Sequence, residues 1–128
     1  MAERRMFAKS VIESDKFIDL SKTARLLYYD LGMEADDDGF LNSVKRTMLI
    51  DGTTEEDLKE LIDNGFIIKF PSEVYVIADW NISNKIQKDR YKETMYTYEK
   101  SMLKINESKK YIFCIQNVSK VEPQDSID

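Results

Sequence analysis

Between Ser21 and Ala35 the apolar residues recur at helical spacing. Ala24, Leu27, Tyr28, Leu31 and Ala35 share one face, and Ser21 is well placed to cap the first turn. Leu26 and Met33 widen the stripe, which predicts a helix covered on more than one side. It should end near Ala35, because Asp36-Asp37-Asp38-Gly39 follows and anionic residues oppose the macrodipole at a helix C-terminus. Upstream, Met6–Phe17 carries apolar residues without a clean period, and Phe40-Leu41 offers only a stub of strand. Asn42 or Ser43 can cap a second helix, Val44 to about Ile50, with Val44 and Met48 inward and Lys45 and Arg46 outward. Asp51-Gly52 reads as a turn. Thr53-Thr54-Glu55-Glu56 fits a capping box for a third helix, Thr54–Asn64, whose inner face is Leu58, Leu61 and Ile62. Asn64-Gly65 closes it.

The period then switches. Phe66–Phe70 and Val74–Trp80 are strand-like and are split by Pro71-Ser72-Glu73, the pattern of a hairpin. Trp80, ending that run, is expected to be mostly buried. Three helices followed by a hairpin is the order of a winged helix-turn-helix, with 71–73 as a short wing and 43–65 as the helix–turn–helix. The predicted class is therefore α+β, with a C-terminal helical and strand extension. A doubly wound α/β fold fails because one strand pair is visible and no crossover helix follows it. Beyond the hairpin, 81–84 reads as loop, Ile86–Leu103 as helical from about Glu93, and Tyr111–Gln116 as strand. Residues 1–116 are expected to form one domain, with 117–128 a polar tail or linker.

Composition narrows the chemistry. The chain has 128 residues, 24 acidic and 19 basic side chains, a net charge of −5 and no histidine. Its 42% apolar content, with four Gly and two Pro, is that of a folded domain rather than a disordered one. A single cysteine, Cys114, rules out an internal disulfide and a cysteine-type zinc site, and its apolar neighbours suggest a buried strand position. Without histidine there is no Ser-His or Cys-His nucleophile. An all-carboxylate enzyme remains formally open, but the expectation is a cytosolic, non-enzymatic domain without cofactor. No apolar run approaches the ~20 residues of a membrane span.

Three charged clusters are candidates for function. Asp36, Asp38 and Gly39 resemble a fragment of a calcium loop, but the loop's sixth position falls on Leu41 and its twelfth on Thr47, so an ordinary solvated turn is expected. The third helix carries five acidic residues against Lys59 alone, which should repel phosphates and suggests a solvated acidic face. Basic residues instead gather at Lys85, Lys88, Arg90 and Lys92, opposed by Asp89 and interleaved with Tyr91, Tyr96 and Tyr98. Cations alternating with aromatic faces suit a nucleic-acid backbone and unstacked bases. Lys45 and Arg46 are candidate DNA contacts too, and Arg4, Arg5 and Lys9 are possible extensions of the patch. Six large apolar residues between Leu26 and Met33 further predict that this helix meets either the 93–116 segment or a second copy of the chain.

The stretches Met1–Ser10, Ser21–Leu31, Ala35–Phe40, Asp57-Leu58-Lys59, Phe66-Ile67-Ile68, Trp80-Asn81-Ile82 and Ile86–Lys92 occur in an order that resembles the N-terminal domain of phage replisome organisers. These are replication-initiation proteins related to the DnaD group. The resemblance covers roughly residues 1–105. It implies a winged-helix domain in phage or prophage DNA replication, in the bacterial host cytoplasm, that binds origin or single-stranded DNA and recruits helicase-loading proteins. It also implies homo-oligomerisation, since the corresponding DnaD domain serves largely in self-association. Two features depart from the pattern: Glu93 stands where many relatives have proline, and relatives commonly continue into a second domain. The competing expectations are a scaffold module without direct DNA binding, and a winged-helix transcription regulator. The regulator is disfavoured because the third helix lacks an Arg, Asn or Gln reader short of its terminal Asn64.

Overall fold

In the computed structural model, which describes residues 5–114, the capping serines and threonines do more than start helices. Ser21 caps α3 (Lys22–Glu34) by accepting from the Ala24 N–H, as its spacing predicts. Its own N–H and hydroxyl then donate to the Glu60 carboxylate on α5 (Glu55–Asp63), at 2.8 and 2.9 Å. Thr23 likewise donates to Asp57 at 2.6 Å. Two acids of the third predicted helix are thus spent fastening it to α3, and Asp57 is buried. Burial works to raise the Asp57 pKa, but the bonds from Thr23 and Thr54 outweigh it and hold it below the ordinary value. The solvated acidic face is accordingly smaller than expected. The capping box is also shifted: Thr54 pairs with Asp57, while Thr53 is held by Asp51 in the preceding turn. That turn follows α4 (Val44–Asp51) and passes through Gly52 at φ +77°.

β1 (Phe40–Leu41), β2 (Ile67–Lys69) and β3 (Tyr75–Ile77) form an antiparallel sheet in the order β1-β3-β2. Its register pairs Phe40 with Val76 and Ile68 with Val76 from the two sides. The fold is α+β. Ala24, Leu27 and Leu31 of α3, Val44 of α4, Leu61 of α5 and Val76 at the sheet centre are essentially inaccessible and make up the core.

Four expectations are corrected. First, the aromatic face of α3 is covered by the N-terminal segment, which forms α1 (Lys9–Ile12) and α2 (Asp15–Ile18). Phe7 meets Tyr29 edge-on at 5.0 Å and Phe17 meets Tyr28 at 5.2 Å, so the N-terminal segment covers the aromatic side, while Leu26 and Met33 of the same helix stay exposed. Second, the hairpin strand stops at Ile77. Trp80 is buried as expected (2% exposed), but it opens α6 (Trp80–Ser83) where a loop was predicted. Its indole N–H donates to the Asp37 carbonyl, and that anchor turns the chain out of the sheet. Third, the long helix from Glu93 is only α7 (Thr97–Ser101). It is followed by β4 (Leu103–Ile105), paired with β5 (Tyr111–Phe113) across a turn in which Asn106 accepts from the Ser108 and Lys110 N–H groups. Fourth, Cys114 lies just past β5 and is half-buried. The rest of the predicted strand to Gln116, the tail 117–128 and residues 1–4 lie outside the described residues. Among the described residues no helix is long and apolar enough to cross a membrane.

Asp79, at the start of α6, provides a check on this packing. One carboxylate oxygen lies 3.8 Å from Lys110 Nζ, while the other is buried without a hydrogen-bond partner among the described residues. Burial pushes its pKa above the ordinary 3.8, with Lys110 and Lys16 only partly offsetting that effect. The folded state therefore binds this proton more tightly than the unfolded chain. Its contribution to stability should fall as pH rises from about 3.8 through the raised value. A comparison of Tm against pH for wild type and Asp79→Asn is expected to show that falling component in the wild type alone. Parallel profiles would mean that Lys110 and Lys16 compensate the charge fully.

Candidate nucleic-acid interface

The acidic tetrapeptide after α3 is not a solvated turn; Asp37 and Asp38 are buried. Asp36 accepts the N–H groups of Asp38 and Phe40 and the Thr94 hydroxyl. Asp37 accepts the Lys92 N–H at 3.0 Å and lies 3.6 Å from the Arg5 guanidinium. Asp38 accepts the Tyr91 hydroxyl at 2.7 Å and the Thr94 N–H at 2.9 Å, and pairs with Lys100 at 3.3 Å. The Asp38 carbonyl accepts the Tyr111 hydroxyl at 2.8 Å. Burial would lower the Lys100 pKa, but Tyr91 and Asp38 outweigh it and raise it. The Tyr111 hydroxyl, mainly through burial, is pushed up to about 12.

This loop decides the shape of residues 85–96. Bonds from Tyr91, Lys92 and Thr94 hold the segment in an irregular strap across the domain, which is why Glu93–Tyr96 is not helical. Tyr91, Lys92 and Thr94 fix the C-terminal part of the strap, and the side chains of Lys85, Lys88, Arg90 and Lys92 along it are exposed. Four cations opposed by Asp89 thus share one segment. Tyr96 packs at the core's edge, 6.5 Å from Phe40, whereas Tyr98 is exposed.

The strap borders a cleft of about 620 Å³ between Trp80, Asn81 and Tyr91, with Lys85 and Lys109 on its edge. Lys109 comes from the β4–β5 turn, and nothing in the linear pattern pointed to it; the hairpin carries it across from 24 positions away. The other candidates separate from this group. Lys45 and Arg46 are exposed on α4, where they border depressions that include no residue of the strap. Arg5 is turned inward: it donates to the Ala35 carbonyl at 2.8 Å and lies over the Trp80 ring at 5.4 Å. Lys9 is exposed on α1, and Arg4 lies outside the described residues. No family model, curated protein or solved structure matches the chain.

Proposed function

We propose that the chain is a non-enzymatic winged-helix domain of a replication-initiation protein of the replisome-organiser type, binding DNA through the 85–92 strap. α4, the Gly52 turn and α5 have the order of a helix–turn–helix. The β2–β3 hairpin, flanked by β1, has the place of the wing, reduced to a three-residue turn with Glu73 at φ +66°. The resemblance in sequence supplies the replication role and helicase-loading partners.

The observation that carries DNA binding is the strap: its end at Tyr91–Thr94 is bonded to Asp37 and Asp38, while all four cations face water. Preorganised cations lose little freedom on meeting phosphates, whose counterions they release. α5 is a poor alternative because Glu55, Glu56 and Asp63 occupy its exposed surface beside Lys59. That surface also speaks against a transcription regulator reading the major groove through α5.

The test is the affinity of single- and double-stranded DNA across salt concentrations. Changing Lys88, Arg90 and Lys92 together to Ala should weaken binding. It should also flatten the log–log salt slope by about 2–3, at roughly 0.7–0.9 per lost contact. Changing Glu55 and Glu56 to Gln should leave binding unchanged or slightly stronger. If the Gln variant loses sequence preference while the Ala variant binds normally, α5 reads bases and the strap assignment is wrong. Absence of binding at low salt would favour a scaffold.

A further inference from the structure

We infer that the α3–α4 face is a two-fold interface with a second copy of this chain, in which Arg46 of each copy enters the acidic groove of the other. The inference starts from apolar residues that no described residue covers. Leu49 and Ile50 at the end of α4 are 85% and 73% exposed, and Met33 on α3 is 53% exposed. Met33 and Ile50 line the same groove of about 230 Å³ between the two helices, and Leu49 lines a separate depression on α4. Leu26 continues the stripe about two turns back along α3, at 43% exposure. Single exposed apolar residues are ordinary, but a contiguous group on one face marks an interaction surface.

The charges beside this group say which partner fits. The same groove carries Asp30, Glu34 and Asp51 together with Arg46. None of these four makes an ion pair among the described residues. Asp51 uses one oxygen for Thr53, and its other oxygen is buried without an ordinary donor. Burial, followed by the hydrogen bond with Asp51, holds the Asp30 carboxyl above its usual pKa, the mark of two acids crowded at one floor. An incoming cation relieves that crowding, and an arginine suits it because the guanidinium can bridge carboxylates while its stem lies along Met33 and Ile50.

A surface that presents both an unspent arginine and the acids to receive it is complementary to itself. A two-fold axis makes each contact twice, and the apolar residues then meet at the centre with charges around them. Arg46 is thereby moved from the candidate DNA contacts to an intermolecular role. The strap lies outside this groove, so the inference does not depend on DNA binding.

Sedimentation velocity of the full chain over a concentration series tests it. The wild type should form a dimer, and Ile50→Glu should weaken association at least tenfold. Arg46→Glu and Glu34→Arg should each do the same, while the Arg46→Glu/Glu34→Arg double variant should recover most of the lost affinity, since it restores opposite charges across the axis. Circular dichroism spectra of all variants should match the wild type, because the altered side chains are exposed, and their melts should match it at concentrations low enough to dissociate the dimer. A strictly monomeric wild type at millimolar concentration would overturn the inference. So would a dimer indifferent to Ile50→Glu and Arg46→Glu. Loss without recovery in the double variant would leave the apolar face in the interface but refute the reciprocal arginine contact.

Discussion

Gly39→Ala is expected to destabilise the domain by about 2–5 kcal/mol. Gly39 adopts φ +90°, a conformation costing a side-chain-bearing residue roughly 1–2 kcal/mol. An added Cβ would also stand 2.6–2.9 Å from Trp80 side-chain atoms. The tryptophan cannot yield easily: its indole is bonded to the Asp37 carbonyl and lies beneath Arg5. Overpacking of a fixed neighbour adds about 1–3 kcal/mol. Gly52→Ala is the control, because Gly52 has φ +77° with nothing near its missing Cβ; it should cost only about 1 kcal/mol. Urea unfolding of both variants reads the difference. Equal losses would show that Trp80 moves aside and that the close approach carries no energetic weight.

Asp38→Ala should cost about 2–3 kcal/mol and release the strap. It removes the acceptor for Tyr91 and Thr94 and the ion-pair partner of Lys100 in a partly buried setting. The figure is held down because the Lys100 side chain is about a third exposed and retains Glu93 at 3.7 Å. Amide exchange at Thr94 should lose most of its protection, whereas amides of α3 should change only by the global loss. DNA affinity should fall with it although no cation is removed, since Lys88, Arg90 and Lys92 would no longer be preordered. Asp38→Asn, which keeps one carbonyl acceptor, should lie between the two. Unchanged exchange at Thr94 would mean that Asp36 and Asp37 hold the strap without Asp38.

The elements legible from sequence share one property: each carries its own local signal. Ser21 before a periodic apolar run, the Thr53-Thr54-Glu55-Glu56 start signal (one residue off the Thr54–Asp57 capping box that forms), and two β-branched, aromatic runs around Pro71-Ser72-Glu73 all specify structure within a dozen residues. The segment after Trp80 failed for the complementary reason. Its lysines and tyrosines have adequate helix propensity, and a weak local preference is readily overridden by long-range bonds. Here Asp37 and Asp38 bind a backbone more than fifty residues away. Asn106 carries the local turn signal of the β4–β5 hairpin, accepting from the Ser108 and Lys110 N–H groups.

For the candidate site, the sequence by itself determined that the chain has an α+β pattern, that its cations cluster between 85 and 92, and that its third helix is acidic, because charge and periodicity are properties of the order of residues. Which charges remain available was decided only by the tertiary structure. Arg5 and the acids after α3 read as surface residues, yet packing turns them inward, where the low dielectric makes unpaired charge costly and each carboxylate gathers donors from distant segments. The same packing leaves Lys85, Lys88, Arg90 and Lys92 in water and sets Arg46 beside Glu34 on a separate face, distinctions that arise from three-dimensional neighbours and have no counterpart in linear spacing.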